Sequence, residues 1–295
     1  MTDVRAVAAP ELSAAELASR FGMARAGARP ALLPYARDLW GRRHFVLAFA
    51  RAYNAVGYSS SFLGQFWQVL TPLLNAGVYF LVFGVILHTR RGVSNYIGFL
   101  VIGIFVFHYT QNSILTGSRA ITANIGLTRA LHFPRATLPV ATTVIALQQL
   151  LVSLVVLLPI ILITGERPSP RWLLVVPAVT LQTIFCLGCS FVLARIGARI
   201  PDTAQILPFL LRTWLYLSGI FYSIKNLTQS LHGEWLRRLL EINPGAVYVE
   251  LVRDALLAKH STYVFEWPVA VAWATVMFLG GFVFFWQAEE EYGRG

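Results

Sequence analysis

Charge is scarce in this chain. Only 13% of its residues are Asp, Glu, Lys or Arg, against a hydrophobic share of 56%, and the mean hydropathy is +0.61. A soluble domain carries about 25% charged residues. So few ions cannot clothe the surface of a soluble protein of 295 residues, which points to an all-α membrane protein. Lysine is nearly absent, with only Lys225 and Lys259. Neither is followed by Ser or Thr, so the phosphate-cradling loop that ends in Gly-Lys-Ser/Thr is missing. A G-x-S-x-G nucleophile turn, an H-E-x-x-H zinc helix and a D-x-D pair are missing too. The two cysteines, Cys186 and Cys189, lack the second pair that a zinc site needs. They read as small side chains on one face of a buried helix. The chain start is rich in Ala, Pro and Arg and lacks the apolar core of a cleavable signal.

Carboxylates are missing from the long apolar runs, although ion-coupled carriers place them at membrane depth. His108 and Arg212 are the ionisable residues inside the runs, joined by the amides Gln111, Asn112, Gln148, Gln149 and Gln182. A transporter of this composition takes its energy from elsewhere.

What is present is a series of apolar runs, each near the roughly 20 residues that cross a bilayer. They are Trp67 to Leu87, Tyr96 to Leu115, Leu138 to Ile163, Trp172 to Ala194, Ile206 to Ile224 and Pro268 to Trp286. This pattern predicts six transmembrane helices within residues 66–287. Residues 1–34 read as a tail. Residues 35–56 mix Arg37, Arg42, Arg43 and Arg51 with Leu39, Val46, Phe49 and Tyr53. That spacing predicts an amphipathic helix in the headgroup plane, anchored by Trp40. Residues 288–295 form a short end whose Glu289, Glu290 and Glu291 read as solvated.

The balance is basic, 24 Lys and Arg against 14 Asp and Glu. The basic residues sit between apolar runs, which suits anionic lipid headgroups and argues against nucleic acid. Counted over the loops, 14 basic residues fall on the side of the termini and 9 on the other. The bias places both termini in the cytoplasm of a multi-pass inner-membrane protein. Residues 226–263 are too charged to cross. They predict two short helices that dip into the outer leaflet and return, the second capped by Asn243 with Pro244 at its first position. Tyr248, Leu251, Val252, Ala255 and Leu256 share one face of it, with Glu250, Arg253 and Asp254 elsewhere.

The loop after the second run reads N-I-G-L-T-R-A-L-H-F-P-R-A-T-L-P from Asn124 to Pro139. It resembles the N-x-x-L-(I/V)-(K/R)-K-x-x-F-P-R-x-x-L-P signature of type-2 ABC exporter permeases. It is most similar to the branch that exports O-antigens, teichoic acids and related glycans. W-Q-V-L-T-P from Trp67 to Pro72, R-I-P-D from Arg199 to Asp202 and L-E-I-N-P from Leu240 to Pro244 resemble further motifs of that family, in order. The chain departs from it at Arg129-Ala130, where Lys-Lys is usual, and at Ser218-Gly219-Ile220, where S-P-(I/V) is usual. With the Arg and Ala bias, the chain resembles an actinobacterial or mycobacterial galactan exporter permease.

The resemblance implies a homodimeric, non-catalytic channel subunit bound to two copies of a separate ABC ATPase. ATP and Mg would be held by that partner, and no cofactor by this chain. It implies a coupling helix in the loop 118–137 that docks on the ATPase through Asn124, Leu127, Arg129, Phe133, Pro134 and Arg135. The segment 35–56 matches the family's interface helix. The implied cargo is a polyprenyl-linked polysaccharide. Tyr79, Phe83, Tyr109, Gln111, Trp214 and Tyr216 are the candidates to line its conduit, because ring faces stack on sugar C–H faces and leave hydroxyls wet. Two other readings stay open. One is a drug or small-lipid exporter of the same superfamily. The other is a membrane glycosyl- or acyltransferase using Glu166, Glu234 or His232.

Overall fold

The computed structural model describes residues 30–57, 64–86, 93–130, 133–224, 234–258, 260 and 265–292. Among these residues every regular element is helical. Residues 1–29 of the predicted tail, most of the loop between the first two runs, His232 and parts of the segment 226–263 lie outside the described residues.

Two short helices come first, α1 (Leu32–Gly41) and α2 (Arg43–Gly57), separated at Arg42. Both are amphipathic. Tyr35 is the buried residue of α1, and Val46 and Ala50, one turn apart, are buried on α2. Trp40, Leu47 and Tyr53 stay exposed. α2 lies along the helix built from the third run.

α3 (Trp67–Tyr79) holds Pro72 in its second turn and continues with wider, π-type winding over Phe80–Ile86. α4 (Tyr96–Ser118) is the central helix, buried along most of its length. Its start is capped by the Asn95 side chain, which accepts from Gly98 N at 2.9 Å. α5 (Ile125–Ala130) is a short helix in the following loop. α6 (Thr137–Ile163) and α7 (Val175–Arg199) are long and apolar, α7 being preceded by a tight turn over Pro170–Leu174. Cys186 and Cys189 are free thiols buried in α7. α8 (Thr203–Leu217), α9 (Glu234–Ile242), α10 (Pro244–Leu256) and α11 (Glu266–Gln287) complete the bundle. α7 packs along α11 so closely that a Cβ on Gly188 would collide with the Met277 backbone, and one on Gly281 with the Gly188 carbonyl. Without water to drive apolar association, this small-residue approach is how helices gain contact in a membrane.

Among the described residues, five helical spans are long and apolar enough to cross a membrane: Val69–Ile86, Tyr96–Ser118, Thr137–Ile163, Pro170–Arg199 and Glu266–Gln287. The predicted fifth run, Ile206 to Ile224, differs. α8 is 15 residues long, about 22 Å at 1.5 Å per residue, short of the ~30 Å hydrocarbon core. The chain breaks at Ser218, whose hydroxyl bonds back to the Trp214 carbonyl at 2.7 Å, and at Gly219, whose φ of +63° suits glycine. Ile220 and Phe221 keep the run apolar past this break, but as a buried turn.

α10 also corrects the sequence reading. Glu250 and Arg253, placed away from its apolar face, are buried with it. The helix is covered on all sides by α4, α7, α11 and the end of α8, and the two charges meet each other. Glu289, read as part of a solvated end, is buried as well.

Candidate functional site

Four places in the bundle gather chemistry-bearing side chains. The first is the loop from Arg119 to Ala136. Asn124 donates to the Ala120 carbonyl at 2.9 Å, and Thr128 to the Asn124 carbonyl at 3.0 Å, so α5 is tied to the turn before it. Pro134 presents its carbonyl to the Thr137 backbone N–H at 3.0 Å and hydroxyl at 2.6 Å, closing the start of α6. Leu127 and Phe133 are half-buried against an apolar cluster built from α1, α6, α7 and α11. The Phe133 ring lies 6.2 Å from Phe45 of α2. Arg129 is exposed on α5.

Arg135 is engaged by its own chain. Its backbone N–H donates to Glu289 Oε1 at 2.9 Å, and its guanidinium donates to the Glu289 carbonyl. Tyr35 of α1 donates its hydroxyl to Glu289 Oε2 at 2.7 Å and accepts from Ala136 N at 3.0 Å. One buried carboxylate thus joins the first helix, the F-P-R loop and the end of α11. Burial pushes the Glu289 carboxyl above the usual carboxylate range, partly offset by the bonds from the Arg135 backbone and Tyr35. Burial and the facing carboxylate push the Tyr35 phenol up as well.

The second place is aromatic. Tyr79 and Phe83, one turn apart on α3, both meet Phe221 from the turn after α8, at 4.6 and 4.5 Å between ring centres. Tyr216 of α8 joins at 5.4 Å. Three of the six conduit candidates therefore converge, and the residue they share, Phe221, is an aromatic of the fifth run outside those six. The others lie apart. Trp214 turns inward, edge-on to Phe107, and donates to Asn243 Oδ1 at 2.7 Å. Tyr109 is buried and donates to the Thr183 hydroxyl of α7 at 2.9 Å. Gln111 is half-buried on α4.

The third place is Arg253, fully buried on α10. Its guanidinium donates to the carbonyls of Phe99 at 3.0 and 3.1 Å, Gly219 at 2.9 Å and Ile220 at 2.9 Å, and to Glu250 Oε1 at 2.7 Å. It lies over the Phe99 ring, and Glu250 also meets His260 Nε2 at 2.5 Å. The planar fork of Arg suits three convergent carbonyls, whereas the point charge of Lys does not. The sequence signal was there, since a charge inside an apolar helix implies a partner. Its partners are distant in the chain, which hid them.

The fourth place is an amide relay. Asn112 of α4 donates to Gln149 of α6 at 2.6 Å, and Gln149 to Asn54 of α2 at 3.2 Å. Asn54 in turn donates to Gln148 at 2.8 Å. The amphipathic helix α2 is thereby bonded to α6, and through Gln149 it is linked to α4.

Long apolar helices and a bonded loop with the F-P-R sequence are the features to set beside known membrane proteins. Residues 45–257 match the ABC-2 type transporter family, and the chain belongs to that family. It is a non-catalytic, multi-pass membrane subunit. Its relatives include the O-antigen export system permease protein RfbA of Myxococcus xanthus, 27% identical over 209 residues, covering 70% of this chain and 78% of the relative. RfbA of Klebsiella pneumoniae is 24% identical over 203 residues, 68% of this chain and 76% of the relative. The polysialic acid transport protein KpsM of Escherichia coli is 26% identical over 200 residues, 66% and 74% of the two chains.

Proposed function

We propose that the chain is the channel-forming subunit of an ATP-driven exporter that moves a lipid-linked polysaccharide from the cytoplasm across the bacterial inner membrane. The observation that carries this reading is its likeness, over most of its length, to permeases named for O-antigen export and polysialic acid transport. A galactan is the cargo that the resemblance to actinobacterial exporter permeases suggests.

Energy comes from an ABC ATPase partner, which binds ATP and Mg and docks at the loop 118–137. Arg129 and the exposed side of α5 face that partner. Phe133 and Arg135 carry its stroke into the bundle, a role supported by their contacts to α2 and to the end of α11. The segment 35–56, as α1 and α2, lies at the headgroup level beside the ATPase. Two copies of the chain and two of the ATPase form the working unit. α9 and α10 belong to a re-entrant segment, 226–263, on the outer side, and α8 with its turn serves as the sixth, incomplete crossing.

The conduit runs past Tyr79, Phe83, Tyr216 and Phe221. A neutral polymer offers no charge to hold, and an aliphatic wall would strip its hydroxyls of water at ~2–7 kcal/mol per uncompensated group. Ring faces exchange many weak contacts instead.

The test is to purify the chain with the ATPase encoded beside it and to measure ATP turnover with and without lipid-linked glycan. Stimulation by glycan, and none by a panel of small amphiphilic drugs, is the expected result. Stimulation by the drugs alone would favour a small-molecule exporter.

A further inference from the structure

A cavity of about 400 Å³ lies between α3, α4 and α6, beside the end of α2. This is within the ~300–1,000 Å³ range of ligand pockets. It sits toward the end of the bundle that carries α1, α2 and α5, since its walls come from the start of α3 and the C-terminal half of α4. It is distinct from the aromatic cluster at Phe221.

Its walls combine two chemistries. Tyr53, Trp67 and Phe105 offer rings, and the Tyr53 and Trp67 side chains are exposed. His108, Asn112 and Gln149 offer donors and acceptors. No Lys, Arg, Asp or Glu lines the cavity among the described residues. The His108 imidazole has no hydrogen-bond partner among the described residues, and it lies within a long apolar helix. An ionisable side chain at such a place marks a ligand path by default. A lipid tail would leave the imidazole without a partner and the amides bonded only within their relay. A phosphate would find no cation. A sugar ring satisfies both halves, stacking its C–H face on an aromatic ring while its hydroxyls bond to amides and imidazole.

We propose that this cavity binds one neutral sugar ring of the exported glycan, at a station separate from the Phe221 conduit. The inference rests on the glycan-export reading. The amide relay gives the station a route to the ATPase side, because a sugar that bonds Asn112 or Gln149 competes with the bond from Gln149 to Asn54 on α2. Occupancy is then sensed by the helix that lies beside the motor.

The test uses the chain with its ATPase partner in lipid nanodiscs. Ser153→Cys, and separately Thr71→Cys, place a thiol in the cavity wall, with the parent chain and its buried Cys186 and Cys189 as background. The probes are the lipid-linked glycan extracted from the source cells, the released glycan, and the lipid stripped of sugar. Both glycan probes are expected to slow modification of either thiol by a small polar reagent, and the stripped lipid to leave it unchanged. Asn112→Leu should raise the concentration for half-protection about five- to tenfold, the loss of one sugar hydrogen bond. Protection by the stripped lipid would make the cavity a lipid site and overturn the inference. Glycan that stimulates ATP turnover yet leaves both thiols unprotected would mean a water-filled cavity only, and would overturn the inference while sparing the function. Glycan that neither protects nor stimulates would remove both.

Discussion

Replacing Arg253 by Met should be among the most damaging single changes in the chain. Met keeps the length and apolar stem but removes the donors. The carbonyls of Gly219 and Ile220 then lose the guanidinium inside the bundle, and the Phe99 carbonyl loses a second donor beside its helix bond. Glu250 keeps His260 but loses its guanidinium. Breaking one side of a buried ion pair costs about 3–5 kcal/mol. Each stranded carbonyl adds ~1–3 kcal/mol where no water reaches it. Relaxation prevents simple addition, so a loss of about 5 kcal/mol is expected, comparable to the whole stability margin of many domains. The assay is the midpoint of unfolding in mixed micelles for the full chain, followed by tryptophan fluorescence. The double change Glu250→Leu with Arg253→Met removes the stranded carboxylate and should recover part of the loss, leaving the carbonyl share. A midpoint within about 1 kcal/mol of the parent for Arg253→Met would refute the reasoning, because the clamp would then contribute no more than a surface ion pair.

Tyr35→Phe should cost about 1–3 kcal/mol, since it strands the Ala136 N–H and one oxygen of Glu289; the same unfolding assay reads it. The Glu289 carboxyl is raised by burial, so its favourable contribution is full below the usual carboxylate value and is lost as pH rises through the raised one. Glu289→Gln should therefore flatten the stability slope in that window, and an unchanged slope would contradict the burial argument. Phe133→Ala should reduce co-purification with the ATPase or uncouple hydrolysis from export, and normal values of both would sink its coupling role. Phe221→Leu should lower export while expression holds, because it removes the ring that Tyr79, Phe83 and Tyr216 share; unchanged export would move the conduit elsewhere. Thiols placed at Trp235 and Phe265, both exposed, should react with an impermeant reagent from the same side of the membrane, and reaction from opposite sides would mean that α9 and α10 lie within a crossing.

Much of the helix inventory was legible because it depends on local pattern. Runs such as Tyr96 to Leu115 have no other structure open to them in hydrocarbon, where backbone groups must bond within the helix. The Asn243-Pro244 start of α10 was legible as well, since capping is a local reaction of one side chain with the N–H two residues on. The end of α8 was not, because Ser218 and Gly219 sit between apolar neighbours that continue the hydrophobic signal through the turn. The burial of Arg253 depends on carbonyls more than 30 and 150 residues away, and no window along the sequence holds them. The same applies to Glu289, whose partners Tyr35 and Arg135 lie 254 and 154 positions distant. Among the conduit candidates, Tyr79, Phe83 and Tyr216 converge while Tyr109 and Trp214 turn inward. Aromatic content sets how many rings a helix carries, but helix rotation decides where each one points.

The most direct test of the account is vectorial transport. Vesicles holding the chain and its ATPase, with ATP on the ATPase side, would be given a fluorescent lipid-linked glycan, and its arrival on the far leaflet would be read with an impermeant quencher. Transport that requires ATP, both subunits and the glycan moiety is the expected result. ATP hydrolysis without glycan movement, or movement of the sugar-free lipid at the same rate, would contradict it.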